Sequence, residues 1–248
     1  MNIEPEIVFE SNEVLVVNKP VGWLTHADGS GVGETVVEWF LRRAPEARGV
    51  GELANDQAGA PLERSGVVHR LDRDTSGVLI LAKTQDSFTQ LKAQFHDRLA
   101  KKEYRALVYG PVRERWGTID KPIGRSPSDP RKRLAGSNAK GTVREAVTDW
   151  ECIGTGRYEE EDFSYLKLLP KTGRTHQLRV HLKSISRPIV GDTLYAESEM
   201  GRSNNLGLKR MALHAHKLTL TLPYGEPGDF MAPVPNDLIQ AVDQLSET

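Results

Sequence analysis

The chain has 248 residues, 38% of them hydrophobic and 27% charged, a composition ordinary for a folded protein of one large domain or two half-sized lobes. Thirty-three Lys and Arg face 34 Asp and Glu, a formal net charge of −1, and as a total this argues against a strongly basic nucleic-acid binder. The longest apolar run is five residues, Val78 to Ala82, too short to span a bilayer. Met1 to Glu6 shows no basic-then-apolar leader, so no secretory signal is expected. The one cysteine, Cys152, can make neither an internal disulfide nor a Cys-rich zinc site. A reducing compartment, the cytoplasm, is the expected location.

In chain order, Ile7–Glu10 and Val14–Asn18 read as a hairpin around Ser11-Asn12-Glu13, and Lys19-Pro20-Val21-Gly22 turns the chain out of it. Glu34–Arg43 carries Val36, Val37, Phe40 and Leu41 at helical spacing. Residues 44–66, rich in Gly, Ala and amide or acidic side chains, read as a long loop. Gly77–Lys83 is a buried strand. Thr84 caps a predicted helix over Gln85–Leu99 with an apolar face of Phe88, Leu91, Phe95 and Leu99. With Lys102–Tyr109 as the next strand, this makes a βαβ-like succession. Residues 111–141, broken by four prolines, read as irregular. Thr142–Glu151 and Phe163–Leu169 read as strands, Arg174–Ile185 as helical, and Leu213–Leu222 as a strand. Strands outnumber helices and connect locally, which predicts an α+β fold with a mixed, largely antiparallel sheet.

The neutral total hides an uneven distribution. Residues 1–66 sum to −6, residues 111–141 to +5, and residues 167–187, with six bases and no acid, to +6. Two basic islands can bind a polyanion locally, because screening makes attraction a matter of nearby charge. The alternative is a pair of solvated faces.

The densest polar segment is His69-Arg70-Leu71-Asp72-Arg73-Asp74-Thr75-Ser76-Gly77, directly before the most apolar strand. Ionisable groups at the mouth of a buried sheet are placed where burial and neighbours act on them, although an ordinary polar turn explains the composition as well. A kinase catalytic loop does not fit, since Leu71 interrupts His-Arg-Asp and Gly77 stands where the Asn belongs. Gly29-Ser30-Gly31-Val32-Gly33 does not complete a dinucleotide motif, position 34 being Glu. His176 and His181, five apart, diverge on a helix and make a poor metal pair. His214 and His216 share a strand face and read more naturally as structural histidines than as a zinc pair. Neither Ser76 nor Cys152 has a paired-base motif.

VVHRLDRDTSGVLILAKT (67–84) resembles the signature of RluA-type pseudouridine synthases. NKPVGWLTH (18–26), KEYRALVYG (102–110), PIGR (122–125), KTGRTHQLRVHL (171–182), GDTLYA (191–196), LHAHKL (213–218) and FMAPVP (230–235) are similar to further motifs of that family, in order, from about residue 7 to 238. The resemblance implies the pseudouridine synthase catalytic fold over a single domain, residues 1–248, with no S4-type RNA-binding domain ahead of it. It implies isomerisation of a specific uridine in rRNA or tRNA to pseudouridine, a reaction without cofactor or metal. The N1–C1′ bond breaks, the base rotates, and C5 rejoins C1′.

Residue by residue, the resemblance assigns the essential carboxylate to Asp72, its cationic partner to Arg179, and the tyrosine against the base to Tyr104. Whether Asp72 adds to the sugar or first takes a proton from C2′ stays open; either role needs an ionised carboxylate. A uridine in folded RNA must leave its stack, and Arg70 is the residue expected to fill the gap and meet phosphates. Arg174, Arg125, Arg131, Lys132 and Arg133 are further expected RNA contacts. His69 is grouped with them, although it and Thr75 are expected mainly to support the loop. RNA is the expected partner, with no membrane and no obligatory protein partner, and a monomer is expected. The competing readings are an RNA-binding protein on the same scaffold without catalysis, and a glycosidase using Asp72 and Asp74, which the surrounding motifs do not fit.

Overall fold

The computed structural model describes residues 4–27, 34–52, 54–55, 59, 61–196 and 205–246; the glycine run at 29–33 lies outside them. The elements of the first half are β1 (Glu6–Glu10), β2 (Val14–Lys19), α1 (Val36–Arg43), β3 (Ala54–Asn55), β4 (Pro61–Leu62), β5 (Ser76–Ala82), α2 (Gln85–His96) and β6 (Lys101–Tyr109). They are followed by β7 (Trp116–Asp120), β8 (Ile123–Arg125), β9 (Arg133–Ala135), β10 (Lys140–Arg144), β11 (Val147–Tyr158), β12 (Glu161–Pro170) and α3 (Gln177–Ser184). β13 (Leu213–Thr221), β14 (Pro227–Met231) and α4 (Asn236–Asp243) complete the described chain. The fold is mixed α and β. The chain divides into two compact units, residues 1–101 with 215–233, and residues 102–214 with 234–248.

In the first unit the strand order is β1-β2-β5-β13, with β14 also paired to β13. β1 with β2, β2 with β5, and β13 with β14 are antiparallel. Val14 to Val17 and all seven residues of β5 are buried, so both faces of these strands are covered, which is why they read as continuous apolar runs rather than alternations. One face packs Val14, Val16, Val78 and Ile80 against Phe88 and Leu91 of α2 and Leu218, Leu220 and Phe230. Gly77 is required where β5 begins: its φ is +119°, and a Cβ there would stand 2.1 Å from the Ala215 carbonyl. Helix α1 starts on a capping box, in which the Thr35 side chain accepts from Glu38 N and the Glu38 carboxylate accepts from Thr35 N.

The second unit has the antiparallel order β6-β12-β11-β7. Its core joins Leu107, Val108, Phe163, Leu166 and Leu168 of the sheet to Leu178 and Leu182 of α3 and Leu238 of α4. A second sheet, β10-β8-β9, packs Ile123 and Ala135 against Val180 and Tyr195.

Several expectations are corrected. Residues 44–66 hold a 3-10 turn over Pro45–Ala47 and the short hairpin β3–β4. Helix α2 stops at His96, and Leu99, beyond it, is 63% exposed instead of completing the apolar face. The β5–α2–β6 succession is not a βαβ unit of neighbouring strands, because both edges of β5 are taken, by β2 and β13. The segment 111–141 holds β7, β8 and β9 and the start of β10. The strand expected over Thr142–Glu151 is two strands, broken at Glu145 and Ala146. Helix α3 begins three residues later than expected, because His176 adopts left-handed backbone (φ +56°) ahead of it.

Candidate active site

In the first unit the residues of interest lie on the loop that feeds β5. Thr75 N donates to the Asp72 carbonyl at 3.1 Å, closing a tight turn around Arg73 and Asp74. On the other flank the buried Thr25 hydroxyl donates to the Leu71 carbonyl at 2.9 Å and accepts from Leu71 N at 3.1 Å, while the Leu71 side chain is buried. Asp72 is thus held from both sides with its side chain half-buried at the mouth of the sheet.

Lys19, fully buried at the end of β2, donates from Nζ to the carbonyls of Pro20, Trp23 and Arg73 at 3.0, 2.8 and 3.2 Å. Gly22 N donates to Arg73 O, and Arg73 Nε returns a bond to Gly22 O at 3.1 Å. The loop after β2 is therefore a brace for the Asp72 turn. Lys19→Met is expected to cost about 2–3 kcal/mol, since it removes the donor to the buried Trp23 carbonyl and to Pro20 O, while Arg73 O keeps Gly22 N. The check is urea unfolding, together with faster amide exchange at Thr75.

His69 accepts from Ile80 N at Nε2 (3.1 Å) and stacks on Phe95 with centroids 4.4 Å apart. The ring ties the loop to both β5 and α2. Arg70 is exposed.

In the second unit Tyr104 and Lys102 share one face of β6, and Tyr104 packs against the core. Lys102 Nζ reaches the Thr172 carbonyl at 3.4 Å; burial first, then the Arg174 cation, brings its ammonium down to about 8. Arg174 donates from Nε to Glu145 O. The entry to α3 is organised by the buried Gln177, whose Oε1 accepts from the Thr172 hydroxyl and Arg174 N and whose Nε2 donates to Val147 O and the Thr148 hydroxyl.

Arg179, on α3, is 6% exposed. Its Nε and Nη2 donate to the two oxygens of Asp192, 1% exposed, both at 2.8 Å. Asp192 Oδ1 also accepts from the backbone N–H groups of Leu194 and Tyr195. Gly191 precedes it at φ +73°, with the Arg210 carbonyl only 2.4 Å from where a Cβ would sit. The Arg179 guanidinium stands 5.0 Å from the centroid of the Tyr195 ring. The Tyr195 hydroxyl accepts from Arg133 N at 2.8 Å and bonds His176 Nδ1 at 2.9 Å. Burial holds the Tyr195 phenol protonated, pushed up to about 12. The strained His176 is thereby pinned, and Arg133 and Arg179, 46 positions apart, are linked through one ring.

The remaining predicted cations differ from one another. Arg131 is bound to Asp129 by Nε and Nη2 at 3.0 and 2.8 Å, which holds that carboxyl down to about 2. Arg125 is exposed, and Arg133 and Lys132 are half-buried. His181 is a structural histidine. Its Nε2 donates to Lys121 O and its Nδ1 accepts from the Thr148 hydroxyl, and burial lowers its pKa.

Lys19, Thr25, Lys102, Asp192 and Tyr195 drew no role from the sequence, although all lie in the quoted motifs. Nothing in a single sequence shows which carbonyls a lysine will meet or which carboxylate an arginine will find.

The family model for RNA pseudouridylate synthase matches residues 13–184. A Synechocystis protein named as an uncharacterized RNA pseudouridine synthase is 38% identical over 238 residues, covering 94% of this chain and 67% of the relative. The ribosomal large subunit pseudouridine synthase D of Zymomonas mobilis is 36% identical over 242 residues, covering 96% of this chain and 71% of the relative. Among solved structures, human RNA pseudouridylate synthase domain containing 1 superposes with a TM-score of 0.72 at 30% identity, over 92% of this chain and 83% of the other.

Proposed function

The chain belongs to the RNA pseudouridylate synthase family and is an RNA pseudouridine synthase, and on that premise we propose that it isomerises one uridine of rRNA or tRNA with Asp72 as its catalytic carboxylate. The observation that carries this reading is the turn around Asp72, fastened by Thr25 and Thr75 on its two flanks and braced by Lys19. A carboxylate presented at a sugar gains from being immobile, because orientation supplies a large part of the rate.

The family resemblance assigns Arg179 as the cationic partner of the catalytic carboxylate, and it keeps that role here. Asp192 holds the Nε–Nη2 edge of its guanidinium, which fixes the orientation of that cation. Tyr104 lies against the base. When C5 has joined C1′, the proton on C5 leaves to solvent and N1 gains one, so atoms balance without a co-reactant, and Tyr104 is the group assigned to that transfer. Arg70, Arg125, Lys132, Arg133 and Arg174 meet the RNA. Arg131, bound by Asp129, is assigned no RNA contact, and His69 supports the loop.

No helix among the described residues is long and apolar enough to cross a membrane. A cytoplasmic monomer, with residues 1–248 acting as one catalytic domain, completes the proposal. The large-subunit name of the Zymomonas mobilis relative favours rRNA over tRNA. The test is release of tritium from bulk rRNA and bulk tRNA, each made with C5-tritiated uridine and incubated separately with the protein. Release from rRNA is expected. Release from tRNA alone would move the substrate class, and release from neither would replace the enzyme by a binding protein.

A further inference from the structure

The small sheet β10-β8-β9 carries a charge pattern that its own stability does not explain. On β8, Arg125 stands opposite Arg133 of β9 on one side and opposite Lys140 of β10 on the other. Cross-strand partners project from the same face, and neighbouring strands lie about 4.8 Å apart, so the three cations form a row roughly 10 Å across. Like charges directly opposite one another destabilise a sheet.

The same face is apolar at its other end, where Ile123 and Ala135 are paired and pack on Val180 and Tyr195. The basic row therefore continues a packed face beyond the end of the core, on a rigid support. That support is tied down by Arg133 N to the Tyr195 hydroxyl and by Gly136 N to Pro122 O.

Among the described residues none of the three cations has a carboxylate partner, whereas Arg131 next to them is fully engaged by Asp129. Arg133 donates from Nη1 to the carbonyls of Pro130 and Lys132, bonds that orient the guanidinium and leave its charge uncompensated. Residues 121–145 hold seven bases and two acids, so the chain segment that carries the row is itself basic. Gly141, at φ +70°, follows Lys140 where the β10 register shifts, a bulge that re-aims the strand at the row.

We propose that Arg125, Arg133 and Lys140 form a platform for the RNA phosphate backbone, and that Arg131 lies outside it. The platform rests on the reading of the chain as an RNA-modifying enzyme and specifies which surface grips the substrate. It reads charge and spacing, not base identity, so it contributes affinity and register to every RNA that the enzyme binds.

The test is the salt dependence of binding to an unmodified large-subunit rRNA transcript. Each lost phosphate contact flattens the slope of log K against log salt by about 0.7, so the Arg125→Gln/Arg133→Gln/Lys140→Gln variant is expected to lose about 2 from its slope. Arg125→Gln alone, a change of an exposed side chain, is expected to lose about 0.7 and keeps the test valid if the triple variant does not fold. Arg131→Gln is expected to match the parent protein. An unchanged slope in Arg125→Gln, or an equal drop in Arg131→Gln, overturns the platform. A parent protein that binds rRNA and releases tritium while these slopes stay unchanged refutes the platform alone. A parent protein that releases no tritium from any RNA removes the premise instead.

Discussion

Asp72→Asn is expected to reduce tritium release from C5-tritiated RNA by about 10⁴-fold or more, the scale on which enzymes lose rate when the reacting group itself is removed. The variant should keep the fold and unfold cooperatively in urea. The turn is made by the Asp72 carbonyl and Thr75 N, which Asn preserves, and Asn is as much at home in such turns as Asp. RNA affinity should also survive, because the basic residues are untouched. Asp74→Asn is the internal control. Asp74 is exposed in the same turn, and its loss should leave activity within a few-fold of the parent. Comparable losses in the two variants would refute the assignment of the reaction to Asp72 and point to the charge of the loop as a whole.

The second large effect is expected at a residue to which the sequence assigned no role. Asp192→Ala should destabilise the protein by about 3–5 kcal/mol, the usual consequence of removing one partner of a buried ion pair. Arg179 would be left with its Nε and Nη2 unmatched in a site where it is 6% exposed, and the N–H groups of Leu194 and Tyr195 would lose their acceptor. Arg179→Met combined with Asp192→Leu should recover the part of that stability lost to the uncompensated charge, but not the part owed to the Leu194 and Tyr195 N–H groups, which still lack an acceptor, and it should have no tritium-release activity. Arg179→Lys should retain the charge and still lose about 10²-fold in rate, because an ammonium cannot make the planar two-point contact that aims the group. The measurements are urea unfolding and tritium release on the same preparations. An Asp192→Ala variant as stable as its parent would show that the pair is open to solvent. An active Arg179→Met/Asp192→Leu variant would remove Arg179 from the reaction.

Where apolar pattern and local capping decide the structure, the sequence alone is sufficient. The β1–β2 hairpin, the buried β5 and the Thr84 cap of α2 all follow from residues within a few positions of one another, and their energetics are local. The order of motifs from residue 18 to 235 likewise sufficed for the family, since a shared set of spaced residues does not depend on knowing where each one lands.

The sequence alone is insufficient where the stabilising partner is distant. Strands β8 and β9 are three residues each and have no usable periodicity; they exist because Ile123 and Ala135 pack on Tyr195, some 60 to 70 positions away. Asp192 and Arg179 are separated by a helix end and two turns, and His176 takes a left-handed backbone held by a tyrosine hydroxyl 19 residues on. A linear chain names the charged groups but does not say which of them neutralise each other. Folding chose Asp129 for Arg131 and Asp192 for Arg179, and it lined up Arg125, Arg133 and Lys140 without an acid. The net charge of −1 was thus a statement about composition. The basic row exists because strand pairing sets residues about 4.8 Å apart that the chain keeps eight and fifteen positions apart.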